Sequence, residues 1–572
     1  MHTPVKLGQS RTWWNTLVVV AWMALHATLT HAGSQPARAP SGMVVSSEST
    51  ASNIGVQVLR EGGSAVDAAV ATAFALAVTH PRAGNIGGGG FLVFSPASGE
   101  PVAYDFRETA PAKATPDMWL QDGKYDRDRH HESHLAVGVP GTVAGLHLAW
   151  TAQGKLPWRR LVEPAILLAR NGFVVTDGLA RSLKTVLPRM KKYPASMAQF
   201  TNQGAPYEAD DVLVQKDLAD ALTRIAERGP AGFYEGKTAE LIEKEMKANG
   251  GIITREDLRQ YTAKKRTPVR GQYRGYEIIS MPPPSSGGTA IVEMLNILED
   301  YDLAEFGYGS ARATHVLTEA MRRAFADRAR HIGDPDWNPD MPIARLTSKA
   351  YATDLRKSIR LDRASKSSPE NFEWPFESSE TTHLSVIDAD RNAVALTYTL
   401  EYRYGSAIVV TGGGFLLNNE MGDFNPVAGL TTREGLIGTP PNMTAPGKRM
   451  LSSMSPTIVA KNGKPFMVTG ARGGRTIINT VLQTIVNVID FDMNAQEAVD
   501  AGRFHHQWLP DRIKFERHAL SPDTQDILRK FGHELLEGGE QGSTQVIVFR
   551  ENEGILEGGN DRRVPDGAAV GY

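Results

Sequence analysis

Two threonines lie where the character of the chain changes, and their type and spacing allow nucleophilic chemistry. In FESSETTHLSVID a polar run ends at Glu380, and a run typical of a buried strand begins at Thr381. The segment TTHLSVIDADRNAVALTYT predicts two strands joined by a turn at 388–392. Symmetric pairing about that turn places Thr381 opposite Thr399 on one face of the sheet, with Cβ atoms roughly 5 Å apart. The sequence therefore predicts that two hydroxyl groups meet there.

Two interpretations of this threonine pair are open. Cross-strand threonines stabilise many sheets and have no chemical role there. Alternatively, the chain is cut between Glu380 and Thr381, and Thr381 becomes a new N-terminus whose α-amine is the base for its own hydroxyl. A hydroxyl is a weak nucleophile until a base takes its proton, and a terminal amine titrates near about 8. A cut would also explain the polar segment 361–380, which predicts an exposed tether directly before the strand.

The elements that must position the threonines change in kind at this tether. Helical patterns dominate from about 52 to 355, whereas strand-like runs dominate after 381, which favours an α+β fold over a regular βαβ series. Helices are predicted within 52–63, 64–78, 138–153, 210–228, 235–248, 287–298 and 311–331, and strands at 383–388, 393–400, 407–417, 455–460, 465–470 and 544–549.

Composition excludes several classes of function. With 62 basic and 64 acidic residues, the formal net charge is −2, and this balance predicts no nucleic-acid partner. The chain has no cysteine, which excludes a cysteine nucleophile, a thiolate metal site and an iron–sulfur cluster. The pairs His130–His131 and His505–His506 are adjacent, unlike the i, i+4 spacing of zinc ligands on a helix. No metal site and no cofactor are predicted.

The first 32 residues have the pattern of a secretory signal. Lys6 and Arg11 precede the 14-residue apolar run TLVVVAWMALHATL, and the segment closes at Ala32. A membrane-spanning helix needs roughly 20 apolar residues, so cleavage after Ala32 is favoured over an uncleaved anchor. We therefore expect an exported protein, periplasmic or secreted, with no membrane span in its mature form.

Longer motifs resemble those of one family. TTHLSVIDADRNAVALTYT, GFLLNNEMGDF, KRMLSSMSPTIV and RFHHQWLPD closely resemble the γ-glutamyltranspeptidases, as do the upstream motifs NIGGGGFLVF, YDFRETAPAKAT, GVPGTVAGL and MPPPSSGG in the same order. The glycine run at 84–90 lacks the Lys-Ser/Thr of a nucleotide loop and is interpreted as the entry to a core strand. The resemblance implies an N-terminal nucleophile hydrolase, a four-layer αββα sandwich. It also implies a self-cleaving precursor that gives a large chain, 33–380, and a small catalytic chain, 381–572.

The resemblance implies a role for each candidate site residue. Thr381 would be the nucleophile for self-cleavage and for turnover, with Thr399 hydrogen-bonded to the new terminus. Gly473 and Gly474 in GARGGRT match the pair whose backbone N–H groups hold an oxyanion. On the spacing alone, these glycines are equally typical of a strand-to-helix turn.

A γ-glutamyl donor carries an α-carboxylate and an α-ammonium, so its pocket needs both signs of charge. By resemblance, Arg107, Ser452 and Ser453 would bind the carboxylate, since a guanidinium can bind carboxylates bidentately. The acidic residues implied for the ammonium are Glu401, Glu420 and Asp423. Without the resemblance, Arg107 is typical of a surface salt bridge with Asp105 or Glu108, and the other residues are typical of loops, turns and caps.

The implied activity is that of a γ-glutamyltransferase and hydrolase. Its donor would be glutathione or a related compound, and water, an amino acid or a dipeptide would resolve a γ-glutamyl-threonine ester. The segment 424–450 corresponds to a lid loop and suggests a small donor. The chain departs from the family pattern at three positions: Glu401 leaves the balance of hydrolysis and transfer open, Arg472 lies near the pocket with an effect that the sequence does not give, and Glu434 replaces an aromatic gate residue of some relatives, which alters the expected lid closure. The rival hypotheses are an acylase of glutaryl-cephalosporin-type amides and an inactive exported binding protein.

Overall fold

Two antiparallel sheets, each of seven strands, form the centre of the protein. The computed structural model describes residues 33–368, 381–429 and 438–572. The predicted signal segment, the end of the tether with Glu380, and Glu434 lie outside these ranges. All elements named below belong to the unit Pro36–Tyr572.

The bounds of the strands and helices are as follows. The strands are β1 Ala37–Ala39, β2 Met43–Ser46, β3 Gly89–Ser95, β4 Val102–Phe106, β5 Leu120–Gln121, β6 Lys124–Tyr125, β7 Phe173–Val174, β8 Thr201–Asn202, β9 Ala205–Pro206, β10 Val212–Leu213, β11 Lys264–Arg266, β12 Val269–Tyr273, β13 Tyr276–Ser280, β14 Thr382–Ile387, β15 Ala393–Thr399, β16 Thr457–Lys461, β17 Lys464–Arg472, β18 Phe504–His505, β19 Ile513–Glu516, β20 Leu535–Gly538, β21 Ser543–Arg550, β22 Ile555–Asn560 and β23 Ala568–Gly571. The α-helices are α1 Ser49–Arg60, α2 Ala65–Thr79, α3 Arg127–His131, α4 Thr142–Gln153, α5 Trp158–Asn171, α6 Asp177–Met190, α7 Pro194–Phe200, α8 Lys216–Arg228, α9 Ala231–Tyr234, α10 Gly236–Ala248, α11 Arg255–Gln260, α12 Gly287–Leu298, α13 Leu303–Phe306, α14 Ala311–His331, α15 Ile343–Leu346, α16 Lys349–Arg356, α17 Thr476–Ile489, α18 Ala495–Asp500 and α19 Pro522–Phe531. Short 3₁₀ turns span His134–Ala136, Glu420–Asp423 and Pro440–Asn442.

The two large sheets pack against each other and are covered by helices on their outer faces. Sheet I has the order β11-β4-β3-β15-β14-β2-β23, and sheet II has the order β1-β22-β21-β17-β16-β13-β12. One apolar cluster joins the outer face of sheet I to α1, α2, α4, α5 and α8. A second cluster joins the inner faces of both sheets and continues to α12, α14 and α17 behind sheet II. The order of layers is helix, sheet, sheet, helix, which confirms the predicted αββα sandwich.

Helix α2 shows how the sequence builds the outer layer. Its residues, AVDAAVATAFALAVT, are small and apolar, and all of them are buried. Ser64 caps the helix, because its side chain accepts from the Asp67 N–H and Asp67 accepts from the Ser64 N–H in return. Small side chains let this helix approach sheet I closely, which supports the strands that bear the threonines.

The predicted hairpin has the register that the turn symmetry requires. Thr382 pairs with Tyr398, and the pairing continues to Ile387 with Ala393. The predicted helices and most of the predicted strands are confirmed, and the glycine run leads into β3 as expected. The strand predicted at 407–417 is wrong, because that segment contains turns and the single bridge between Val409 and Leu416.

Two further features differ from the sequence predictions. Besides β3, strands β4, β12 and β13 come from the helix-rich half, where the sequence did not predict them, and they help to complete the two sheets. The described start of the tether is not free in solvent, since the Ala364 N–H donates to the Phe531 carbonyl and the Ser367 N–H donates to Asp511. Among the residues that the structure describes, no helix has the length and apolarity to cross a membrane.

Candidate active site

The two threonines meet at one end of the space between the sheets. Thr381 directly precedes β14, Thr399 ends β15, and both are buried. Their side chains lie on the inner face of sheet I, the face that also carries His383 and Thr397. The Glu401 N–H donates to Thr399 Oγ1 at 2.9 Å. The hairpin thus delivers two hydroxyl-bearing residues to one cavity, as the register predicts.

The cavity has a volume of about 20 Å³ and gathers almost all of the predicted site residues. Glu380 lies outside the described residues, and Gly473 lines a neighbouring cavity instead. Met454 and Ile477 also line the cavity, and no sequence motif marks these apolar side chains as part of a site. The lining consists of Arg107, Thr381, Thr399, Glu401, Glu420, Asp423, Ser452, Ser453, Met454, Gly474 and Ile477.

Arg107 follows the end of β4 and is buried, so it is not the surface residue that the alternative interpretation requires. Its guanidinium pairs with Glu420 and with Asp423, and its Nε donates to the Met450 carbonyl at 3.2 Å. Although burial lowers it, the pKa of Arg107 is raised above its ordinary value by Glu420 and Asp423. The cavity therefore contains a permanent cation between carboxylates.

The two acidic partners converge because they lie on one 3₁₀ turn, Glu420–Asp423. Residues i and i+3 of a 3₁₀ helix eclipse one another, so Glu420 and Asp423 present their carboxyl groups on the same side. Burial raises the pKa of Glu420 well above its ordinary value, against the opposing effect of Arg107. One short turn thus supplies the negative side of the cavity.

The serine pair is held by the segment that connects β13 to α12. The Ser452 N–H donates to the Pro284 carbonyl at 2.9 Å, and the Ser286 N–H donates to the Ser452 carbonyl at 2.8 Å. Behind the serines, the buried Arg328 of α14 donates to Ser286 Oγ at 2.8 Å and to Ser453 Oγ at 3.1 Å. Sequence reasoning missed Arg328, since nothing in the helical pattern of α14 marks it as a support for a distant loop.

Gly473 and Gly474 connect β17 to α17. Their φ angles are 133° and 57°, in the region that favours glycine. No side chain caps the first turn of α17, so its backbone N–H groups give this end of the helix a positive potential. Gly474 lines the cavity of the threonines. A developing oxyanion is stabilised in such a position.

Comparison with known proteins agrees with this geometry. The sequence model described as Gamma-glutamyltranspeptidase matches residues 51–571. The chain belongs to the γ-glutamyltranspeptidase family. It is similar to the "Glutathione hydrolase proenzyme" of Escherichia coli (strain K12), with 50% identity over 545 residues that cover 94% of this chain and 93% of the relative.

Acylases are also among the similar proteins. The "Acylase ACY 1 proenzyme" of Pseudomonas sp. (strain V22) is 39% identical, with 92% of each chain covered. The crystal structure of cephalosporin acylase from Bacillus halodurans superposes with a TM-score of 0.83 at 27% identity, covering 96% of this chain and 98% of that one. The γ-glutamyltranspeptidase fold is therefore shared with acylases, and the residues of the cavity must distinguish the substrates.

Glu401 of this γ-glutamyltranspeptidase chain lies in a strained position. Its φ is 78°, in the left-handed region that side chains rarely adopt. Its carboxyl group accepts from Asn419 Nδ2 and lies 3.8 Å from His131 Nδ1. Burial, followed by Asp423 and Glu420, raises the pKa of Glu401 well above its ordinary value. Burial lowers the pKa of His131 to about 3, so its imidazole is uncharged near neutral pH.

A histidine network elsewhere in the γ-glutamyltranspeptidase fold brings together three groups that are typical metal ligands. Ligand atoms of His315, Glu319 and His533 lie within 4.8 Å of one another, and His315 Nδ1 is 2.8 Å from His533 Nε2. The i, i+4 spacing of His315 and Glu319 was the signal for this group, and the sequence analysis did not single it out. Although burial raises it, the pKa of Glu319 is lowered to about 2 by Arg322 and by hydrogen bonds. Because Arg322 and Arg323 already neutralise the carboxylate, the charges favour a structural network.

Proposed function

We propose that this chain is a self-processing γ-glutamyltransferase and glutathione hydrolase with Thr381 as its nucleophile. The observation that carries the proposal is the cavity, in which the threonine pair lies beside one buried cation and a set of acidic groups. This combination matches a scissile γ-amide attached to a group that bears both an α-carboxylate and an α-ammonium. The similarity to glutathione hydrolase proenzymes supports the same substrate class.

The proposed reaction begins with cleavage of the 380–381 peptide bond. The freed α-amine of Thr381 takes the proton from Oγ, and Oγ attacks the γ-carbonyl carbon of the donor. Backbone N–H groups of Gly473 and Gly474 hold the oxyanion. The C–N bond then breaks, the leaving amine receives the proton, and a γ-glutamyl ester remains on Thr381. Water, an amino acid or a dipeptide attacks this ester and restores the hydroxyl.

Donor recognition follows from exchange of ion pairs. The donor α-carboxylate would pair with Arg107 and would be supported by Ser452 and Ser453. The donor α-ammonium would pair with Glu420 and Asp423. A cavity of about 20 Å³ holds little more than one water molecule, so donor binding must separate Arg107 from its carboxylates. The donor brings one carboxylate and one ammonium. Each charged side chain released from the Arg107 ion pairs therefore gains a new partner, and no unpaired ion remains in the cavity.

The acylase hypothesis fits the cavity less well. A glutaryl donor lacks the α-ammonium, so when its carboxylate pairs with Arg107 it would leave the carboxylates of Glu420 and Asp423 without a cationic partner from the substrate. An unpaired buried carboxylate is costly. The presence of both Glu420 and Asp423 in the cavity therefore favours a γ-glutamyl donor over a glutaryl donor.

The loop after Asp423 supports a small donor. Asn442 Nδ2 donates to the Asp423 carbonyl at 2.7 Å, and Asn442 Oδ1 accepts from the Leu451 N–H at 2.8 Å. The described parts of the loop, 424–429 and 438–450, are thus attached to the acidic turn and to the serine segment. A loop held in this way covers a compact ligand more readily than a polymer.

Processing is tested by intact mass spectrometry of purified protein. We expect two fragments for the natural chain, ending at 380 and beginning at 381, and one uncut chain for Thr381→Ala. Thr381→Ser keeps a hydroxyl and should still be cut. Thr382→Ala is a matched control, because Thr382 Oγ1 donates to Ser47 on the opposite face of the strand. An uncut and inactive natural chain would support the binding-protein hypothesis instead.

Activity is tested with γ-glutamyl-p-nitroanilide, with and without glycylglycine. Release of glutamate without acceptor measures hydrolysis, and formation of γ-glutamyl-glycylglycine measures transfer. A processed chain that cleaves glutaryl amides faster than γ-glutamyl amides would instead favour the acylase hypothesis. N-terminal sequencing of an exported fraction would test the proposed start of the large chain at residue 33.

A further inference from the structure

A second cavity, of about 240 Å³, adjoins the cavity of the threonines. Gly474 lines the first cavity and Gly473 lines the second, and neighbouring Cα atoms are only about 3.8 Å apart. The two glycines proposed to hold the oxyanion therefore lie between the two spaces, and each lines one of them. We call the second space the basic cavity; its lining includes Arg403, Arg472, Gly473, Thr476, Lys514 and Glu540.

Positive charge dominates the basic cavity. Arg472 is buried, its Nε donates to Ser543 Oγ at 2.6 Å, and its Nη2 lies 3.7 Å from Glu540. Arg403 is exposed at the rim. Glu540 is 58% exposed, so solvent screens its opposing charge more than it screens the charge of Arg472. The three cations outnumber the single acidic side chain of the lining.

Lys514 is available to bind a ligand. Within 33–368, 381–429 and 438–572, its Nζ makes no hydrogen bond and no ion pair. Its stem packs over Gly538, where an added Cβ would lie 2.5 Å from Lys514 Cε. The backbone thus leaves room for the lysine stem, and Lys514 lines the basic cavity.

The start of α17 adds to the positive potential. Thr476, the first residue of this 14-residue helix, lines the basic cavity, and no side chain caps the first turn. The Thr476 and Ile477 N–H groups already donate to the Gly473 and Gly474 carbonyls, so the attraction for an anion at this helix end comes from the helix dipole. Together with the three cationic side chains, the helix makes the cavity suited to a carboxylate.

We propose that the basic cavity binds the carboxylate of the acceptor amino acid or dipeptide, and of the amine that leaves in the first step. The proposal rests on the proposed function above. An oxyanion lies about 3 Å from its N–H donors. In a dipeptide, the amine and carboxylate are separated by roughly two residues of 3.3–3.6 Å. An amine that attacks the ester on Thr381 can therefore extend its carboxylate past Gly474 into the basic cavity.

The same cavity serves both half-reactions, because attack of an acceptor amine on the ester is the reverse of release of the leaving amine. The acceptor amine enters along the path by which the leaving amine departs, and glutathione's leaving group is itself a dipeptide with a free carboxylate. The donor α-carboxylate belongs to Arg107 and does not compete for this cavity. Arg472, whose effect was left open from the sequence, acquires a role in recognising the acceptor.

The test is a thermodynamic cycle that removes one charge from the protein, one charge from the acceptor, or both, and compares the effects. Transfer from γ-glutamyl-p-nitroanilide is measured as acceptor kcat/KM for glycylglycine and for glycylglycinamide, which lacks the carboxylate. We expect the natural chain to prefer glycylglycine. Lys514→Met should reduce this preference about fivefold, as expected for about 1 kcal/mol from one partly exposed charge. Lys514→Met combined with Arg403→Gln should reduce it further.

The controls separate charge recognition from loss of fold. Lys530→Met removes an exposed lysine away from the cavity and should keep the natural preference. The proposal is overturned if the natural chain uses both acceptors equally, or if Lys514→Met lowers both kcat/KM values by the same factor. Failure of the proposed function has a different signature, since no p-nitroaniline would be released with any acceptor.

Discussion

The two faces of the β14–β15 hairpin carry opposite kinds of side chain. On the outer face, Leu384, Val386 and Leu396 belong to the apolar cluster that contains α2. On the inner face, His383 Nδ1 lies 2.8 Å from Thr397 Oγ1, in the row of residues that includes the two site threonines. Near the turn, the inner-face residues Ile387, Ala393 and Ala395 belong to the apolar cluster between the sheets, so only the end of this face that bears the threonines is a hydrogen-bonded polar row.

The polar face is connected to the facing sheet. His383 Nε2 lies 3.0 Å from Ser385 Oγ, and Ser385 donates to the Gln545 carbonyl of β21 at 3.0 Å. Because these groups satisfy one another, a polar row is tolerated in a buried layer. The outer face is thus apolar along its length, whereas the inner face has a polar end that is available to position reactive groups. Substitutions on the two faces should therefore have separable effects.

The largest effect on stability is expected from the outer face. Leu396→Ala removes a fully buried side chain and should lower the free energy of unfolding by about 2–5 kcal/mol. Urea unfolding of the Thr381→Ala chain, which we expect to remain one polypeptide, measures the loss. In the processed protein, the same substitution should leave the kcat of the folded fraction unchanged. A large fall in kcat with unchanged stability would contradict the division between faces.

The hairpin was predictable because local rules determine it. The turn at 388–392 and the alternation of side chains give the register, which places Thr381 opposite Thr399 without knowledge of any other strand. The strand predicted at 407–417 is wrong because Gly412 and Gly414 adopt φ angles of 72° and 71°, which interrupt an otherwise strand-like run.

Other features depended on contacts between distant segments. Strand β3 is buried on both faces, so it shows no polar alternation that would distinguish it from a buried helix. The support of Ser453 by Arg328 and the approach of Lys514 to Gly473 join segments that are far apart in the chain. Family motifs identified most of the cavity, but a single sequence does not show which unmarked residues complete it.

On the inner face, we expect a pH-dependent effect of intermediate size on the free energy of unfolding. Burial lowers the pKa of His383 to about 3, against about 6.5 in the unfolded chain. The unfolded state therefore gains a proton as pH falls below 6.5 while the folded state does not, and stability is lost between pH 6.5 and 3. Between pH 7 and pH 5 this single group should account for about 2 kcal/mol.

The substitution His383→Asn isolates this contribution, because all other titrating groups are the same in the variant and in the parent chain, which lacks only this substitution. Urea unfolding at pH 7 and pH 5 should show that the variant loses about 2 kcal/mol less stability than the parent over this interval. Leu396→Ala, on the opposite face, is the control and should keep the full pH dependence of the parent. Equal slopes for His383→Asn and the parent would contradict the assignment of the titration to the inner face.

The smallest effect is expected where the inner face meets the acidic groups, at Glu401. Burial, followed by Asp423 and Glu420, raises the pKa of Glu401 well above its ordinary value, so Glu401 keeps its proton to a higher pH than a free glutamate does. Glu401→Gln should therefore change the donor KM only about twofold at pH 6.5, since the two groups have nearly the same shape. As pH rises, Glu401 can ionise and strengthen ammonium binding, whereas glutamine cannot, so the ratio of variant to parent KM should increase. Taking the ratio cancels the titration of the donor ammonium and of the Thr381 amine. A ratio that stays constant from pH 6.5 to 8.5 would show that Glu401 supports the turn through Asn419 and His131 without contributing charge to the donor site.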